Sequence, residues 1–146
     1  MKKTYTMIAL IILIGSMAVA AEAQTSGRRQ LLANIPFQFG VGDKILPAGE
    51  YTVIQVNPVS DYTVLQLRSR DGSATAMVRM FSVIGRAEET AKLIFHRYGY
   101  KYFFAEAWTN GETYGFQAPK SRAERAAQKE LATIGPQTES IAVRNR

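Results

Sequence analysis

The chain has 146 residues, no cysteine, one histidine and a formal charge of +6, with 47% of its residues apolar. The missing cysteines exclude thiolate metal sites, cysteine nucleophiles, a disulfide framework and lipid attachment at an N-terminal cysteine. A lone histidine excludes any metal cluster that needs two, and 10% aromatic with 21% charged residues fits a folded chain, not a disordered one.

Lys2 and Lys3 form a short positive head, Met7 to Ile14 is an uninterrupted apolar run, and Ala21-Glu22-Ala23 supplies small residues suited to signal peptidase. This is the pattern of an export leader over residues 1–23, cut before Gln24, with Ala18-Val19-Ala20 as a second cleavage candidate. The rival reading, an uncleaved anchor, is disfavoured because Met7 to Ala21 falls short of the roughly 20 residues that span a bilayer. The expected product is one domain exported to the periplasm or beyond, with no membrane span after cleavage.

Losing Lys2, Lys3 and Glu22 with the leader leaves a net charge of +5. Arg28 and Arg29 sit in a basic lead-in, 24–33, and the excess after residue 117 comes from Lys120, Arg122, Arg125, Lys129, Arg144 and Arg146. The span 31–117 balances eight cations with eight anions. The basic character therefore belongs to the ends, and nucleic acid is not an expected partner.

Residues 34–117 read as a β domain. Ile35, Phe37 and Phe39 alternate with Asn34, Pro36 and Gln38, which predicts a strand that Pro36 confines to an edge and that Gly40 and Gly42 end. Leu46-Pro47-Ala48-Gly49 suits a type I turn before a strand from Glu50 to Val56. Thr63 to Arg68 and Thr75 to Phe81 flank Asp71-Gly72, a pair suited to a type I′ hairpin turn. That register places Leu67 opposite Ala76, Leu65 opposite Val78 and Thr63 opposite Met80 on one apolar face.

A second hairpin runs from Lys92 to Tyr98, turns near Gly99 and returns from Tyr100 to Trp108. With a two-residue loop, Leu93, Phe95, Arg97, Tyr102, Phe104, Glu106 and Trp108 share a face, whereas a three-residue loop regroups them. Asn110-Gly111 marks a turn before a short strand from Thr113 to Gln117. Ser121 and Glu124 then form a capping box for a helix within 119–135, stopped by Gly135-Pro136, with Ala123, Ala127, Leu131 and Ile134 as its narrow apolar stripe. Residues 136–146 are expected to be a flexible tail. The expected fold is all-β: about seven strands in a small antiparallel barrel or a two-sheet sandwich, with one C-terminal helix.

Two blocks, IPFQFGVGDKILPAGEYTV at 35–53 and LIFHRYGYKYFFAEAW at 93–108, followed by PKSRAER at 119–125, resemble a family of small exported bacterial β proteins of uncharacterised function. The LPAGEY and HRYG pieces are its most specific parts. The resemblance implies an exported single-domain β protein and transfers no catalytic residue, ligand or cofactor.

Chemistry has few candidates. His96 is the single imidazole, so any hydrolase triad must use it, yet no G-x-S-x-G motif presents a nucleophile. Glu106, in the company of Tyr102, Phe104 and Trp108, needs a cation or donors, which Arg97 or Arg79 could supply. Those residues could line a ligand pocket (Tyr102, Phe104, Glu106, Trp108 and Arg97), or Glu106 could belong to a structural ion pair. No cofactor or metal ion is implied. The leading expectation is a non-catalytic binding or envelope-associated module whose partner is an envelope protein, met through the helix stripe, or a small ligand. The alternative is a small secreted hydrolase using His96 or Glu106.

Overall fold

The computed structural model describes residues 30–57 and 62–145, and the expected leader over 1–23 and most of the expected lead-in lie outside them. The described chain is all-β with one helix: β1 (Gln30–Ile35), β2 (Phe39–Val41), β3 (Lys44–Leu46), β4 (Gly49–Gln55), β5 (Thr63–Ser69), β6 (Thr75–Ile84), β7 (Lys92–Tyr98), β8 (Lys101–Trp108), β9 (Tyr114–Gln117), α1 (Arg122–Glu130), β10 (Gln137–Ala142) and β11 (Arg144–Asn145). The ladder order is β10-β7-β8-β9-β6-β5-β4-β1-β11, with β2 paired to β3 and to β8.

β6 is the corner of this arrangement. Its first half, Thr75 to Met80, pairs with β5, and its second half, Phe81 to Ile84, pairs with β9. The ladder is not closed. β10 and β11 end it on opposite sides and are joined through Val143, whose N–H donates to the Ala91 carbonyl at 2.9 Å. All described strand ladders are antiparallel except the short one of β2 on β8, and an isolated parallel bridge joins Glu88 to Asn110.

One core lies between the inner faces. Alternation on β1, β4, β5 and β6 buries Leu31, Ala33, Tyr51, Val53, Leu65, Leu67, Val78 and Met80, and Leu93, Phe95 and Phe104 close it from the other side. Phe39 links the two halves, its ring 5.2 Å from that of Tyr51 and 5.3 Å from that of Phe95, both edge-on.

Four expectations need correction. The strand predicted through Pro36 breaks there: β1 begins at Gln30, inside the supposed lead-in, and ends at Ile35 because proline gives the ladder no donor. Gly40 is not a terminator but lies inside β2, where the Phe103 ring leaves no space; a Cβ there would meet Phe103 Cδ1 at 2.8 Å. The β5–β6 hairpin has the predicted register, but Asp71 keeps a negative φ. The loop is therefore wider than a type I′ turn, with the Ser69 N–H donating to the Ala74 carbonyl at 2.8 Å and Gly72 alone at positive φ.

The tail is the largest departure. Residues 137–142 pair with β7 from Arg97 to Lys92, leaving only Tyr98 of that strand outside the ladder, and Leu32 of β1 pairs with Arg144. Glu139, Ile141 and Val143 are half-buried, alternating with exposed Thr138, Ser140 and Ala142. That alternation is real but carried by only two large apolar side chains. With the short β2, β3, β10 and β11, the strand count rises from seven to eleven.

Candidate functional site

The β7–β8 hairpin turns on Gly99-Tyr100, pairing Tyr98 with Lys101, Arg97 with Tyr102 and Phe95 with Phe104. A bulge then shifts the register: Ile94 faces Glu106, leaving Ala105 as the extra residue. One extra residue turns every later side chain to the opposite face. Tyr102 and Phe104 therefore point toward the core, whereas Glu106 and Trp108 join Ile94 and Lys92 on the outer face. The proposed five-residue pocket is split by this bulge.

Each half has its own partners. Tyr102 stacks on Phe37, with centroids 3.9 Å apart at 12°, and the Arg97 guanidinium sits 5.7 Å above the Tyr102 ring. Phe104 is buried against Phe95. On the outer face Trp108 Nε1 donates to Glu106 Oε2 at 2.7 Å, so the indole, not Arg97 or Arg79, is the donor that Glu106 required. The Trp108 ring lies flat on the strand beside it: a Cβ on Gly115 would come within 2.6 Å of Cδ2, and one on Gly85 within 2.4 Å of Cη2.

His96 also faces outward, beneath α1. Ser121 caps that helix, its Oγ accepting from the Glu124 N–H at 3.1 Å. The Glu124 side chain does not return to Ser121 as a capping box would require. It is buried on the sheet, where Oε1 accepts from His96 Nδ1 at 2.7 Å and from the Tyr98 hydroxyl at 3.2 Å. Burial, the Glu124 charge and this hydrogen bond push the Tyr98 phenol up to about 12. Ala127 and Leu131 complete the contact against Tyr98 and Phe103, while Ala123 and Ile134 are exposed. The stripe proposed for a protein partner is thus largely used inside the molecule, with Glu124 in the place of Ala123. Among the described residues, no group of three His, Asp or Glu side chains could hold a metal ion.

The outer face of β11-β1-β4-β5-β6 is different, because among the described residues no helix covers it. Cross-strand pairing builds one row of Arg144, Leu32, Thr52, Arg68 and Thr75. The next row holds Gln30, Ile54, Gln66 and Met77. A third places Val56, whose N–H donates to the Val64 carbonyl at 2.9 Å, beside Val64 and Arg79. The Arg79 guanidinium lies 4.6 Å over the Tyr62 ring and 5.7 Å from that of Phe81. Met77 and Phe81 are 59% and 51% exposed.

Among the described residues these rows carry three arginines and no carboxylate. The adjoining row, toward the hairpin loop, holds Glu50, and Arg70 neutralises it at 2.6 Å. In the loop itself, hydrogen bonds from Ser69 and Ser73 hold the Asp71 carboxyl down at about 2. Sequence reasoning missed this surface. Arg68 and Arg79 are legible as polar-face residues of one hairpin, but only the lateral register of five strands adds Leu32, Ile54 and Arg144. No family model, curated protein or solved structure matches the chain.

Proposed function

We propose that this chain is an exported, non-catalytic binding domain of the cell envelope, and that the outer face of β11-β1-β4-β5-β6 is its contact surface. The observation that carries this reading is the coincidence on one sheet face of exposed Leu32, Met77 and Phe81 with Arg68, Arg79 and Arg144, and no described carboxylate among them. Met77 and Phe81 flank Arg79 on one strand, and large apolar side chains left clustered in water mark a site of interaction more often than a random surface does. The leader pattern of residues 1–23 supports a site of action outside the cytoplasm.

The test is retention. Cells making the full chain are fractionated, and the wild type is compared with a variant carrying Met77→Ser, Arg79→Gln and Phe81→Ser. All three side chains point out of β6 and are exposed, so the fold should survive. The wild type is expected in the envelope fraction and the variant in the soluble one. Equal partitioning of two folded proteins would refute the reading.

A further inference from the structure

We infer that the partner of this face is an anionic lipid surface, which rests on reading the face as a contact site. The chemistry of the face selects the occupant. Its sign is positive: Arg68 and Arg144 share one row and Arg79 stands two rows away, with no described carboxylate in these rows to neutralise them, so the complementary surface carries negative charge. Its shape is a broad sheet face, five strands or roughly 20 Å across. A broad surface suits another extended surface better than it suits a small ligand.

The apolar part narrows the choice further. Most of the apolar side chains in these rows are aliphatic, and aliphatic groups give a sugar or a nucleobase no ring to stack on. The one aromatic site is already occupied: the guanidinium of Arg79 lies over Tyr62 and beside Phe81. Stacking uses the flat face of a guanidinium and leaves its in-plane N–H donors pointing outward, where a phosphate oxygen can take two of them. Met77 and Phe81 project on either side of Arg79 along β6, two residues away in each direction. An apolar side chain, a cation and an aromatic side chain on one strand face match the boundary between headgroups and acyl chains, where aromatic side chains and long cationic ones reside.

The face would lie on the bilayer without crossing it, Phe81 and Met77 entering the acyl boundary and the three arginines meeting headgroup phosphates. Such contact is reversible and weakens with salt. An acidic protein would satisfy the arginines but leaves the aliphatic rows to a matching apolar patch, so it is the competing outcome.

The exported chain, as recovered from cells, is sedimented with vesicles of phosphatidylcholine alone and with vesicles of equimolar phosphatidylcholine and phosphatidylglycerol. The expected result is binding to the anionic vesicles only. Arg79→Gln and Arg68→Gln should each lower the affinity about fivefold, the equivalent of about 1 kcal/mol per cation at an anionic surface. Phe81→Ser should weaken it as well, and Tyr100→Ser, on the β7–β8 turn, should change nothing. Equal binding to both vesicle types, or none to either, overturns the lipid assignment. If vesicle binding is absent while the triple variant still loses envelope retention, the contact surface stands and its partner is a protein. If retention is also unchanged, both readings fail.

Discussion

Replacing Glu124 with alanine should undock α1 while leaving the sheet folded. Glu124 is 3% exposed and accepts from both His96 Nδ1 and the Tyr98 hydroxyl. Hydrogen bonds to a charged group contribute about 1.5–3 kcal/mol each. His96 keeps 22% of its side-chain surface in water, so its ring can be rehydrated once the carboxylate is gone. The loss should therefore settle near about 3 kcal/mol, the low end for breaking a buried pair. Against this, the apolar contact of the helix is thin: Ala127 is buried and Leu131 half-buried, worth about 2 kcal/mol together. The carboxylate thus contributes more to docking than the apolar stripe does. In Glu124→Ala, amide-exchange protection across residues 122–130 should fall about a hundredfold, the equivalent of that loss, while the β5 and β6 amides keep theirs. Unchanged protection in α1, or an equal fall in β5, would refute the reasoning.

Other expectations follow from the packing and the titratable groups. Gly115→Val places a side chain where the Trp108 ring now lies, and should cost about 1–3 kcal/mol in urea unfolding with a red-shifted Trp108 emission. Ending the chain at Gly135 removes β10 and β11, baring the edges of β7 and β1 together. That truncation should lower the melting temperature and promote aggregation, measured by light scattering, whereas a loose tail would be removed without effect. Tyr98 has a folded-state pKa raised from 10.0 to about 12, so its neutral form adds stability that is complete below pH 10.0 and lost as pH rises through 12. Glu124→Gln should return its tyrosinate titration, read by ultraviolet absorbance, toward 10.0. Asp71 shows the opposite sign: its pKa is lowered from 3.8 to about 2, so its contribution is present above 3.8 and lost as pH falls through 2. Ser69→Ala with Ser73→Ala should raise its titration midpoint, followed by carboxyl NMR.

How far the sequence reaches depends on how cleanly the two strand faces differ. In β5 and β6, Leu65, Leu67, Val78 and Met80 alternate with Gln66, Arg68 and Arg79, and a slip would carry leucines into water, so the register is readable from the chain alone. In β8, Phe103, Phe104, Ala105, Ala107 and Trp108 put apolar groups on both faces, and nothing in the pattern marks Ala105 as the extra residue. That is why simple alternation puts Glu106 and Trp108 on the wrong side. The helix stripe failed for a related reason: a carboxylate is not expected among buried positions until its partners are known, and His96 and Tyr98 lie more than twenty residues away. The arginine-bearing face lay further out of reach, because it is assembled from β1 and β11, at opposite ends of the described chain, with β4, β5 and β6 between them.

Photo-crosslinking in living cells tests the central claim most directly. A benzophenone amino acid is placed at Phe81, on the arginine-bearing face, or at Tyr100, which is 97% exposed on the β7–β8 turn. Because Tyr100 is the more exposed of the two, exposure alone would favour adducts there. The account predicts abundant envelope adducts from position 81 and few from position 100; equal yields, or a yield that follows exposure, would contradict it.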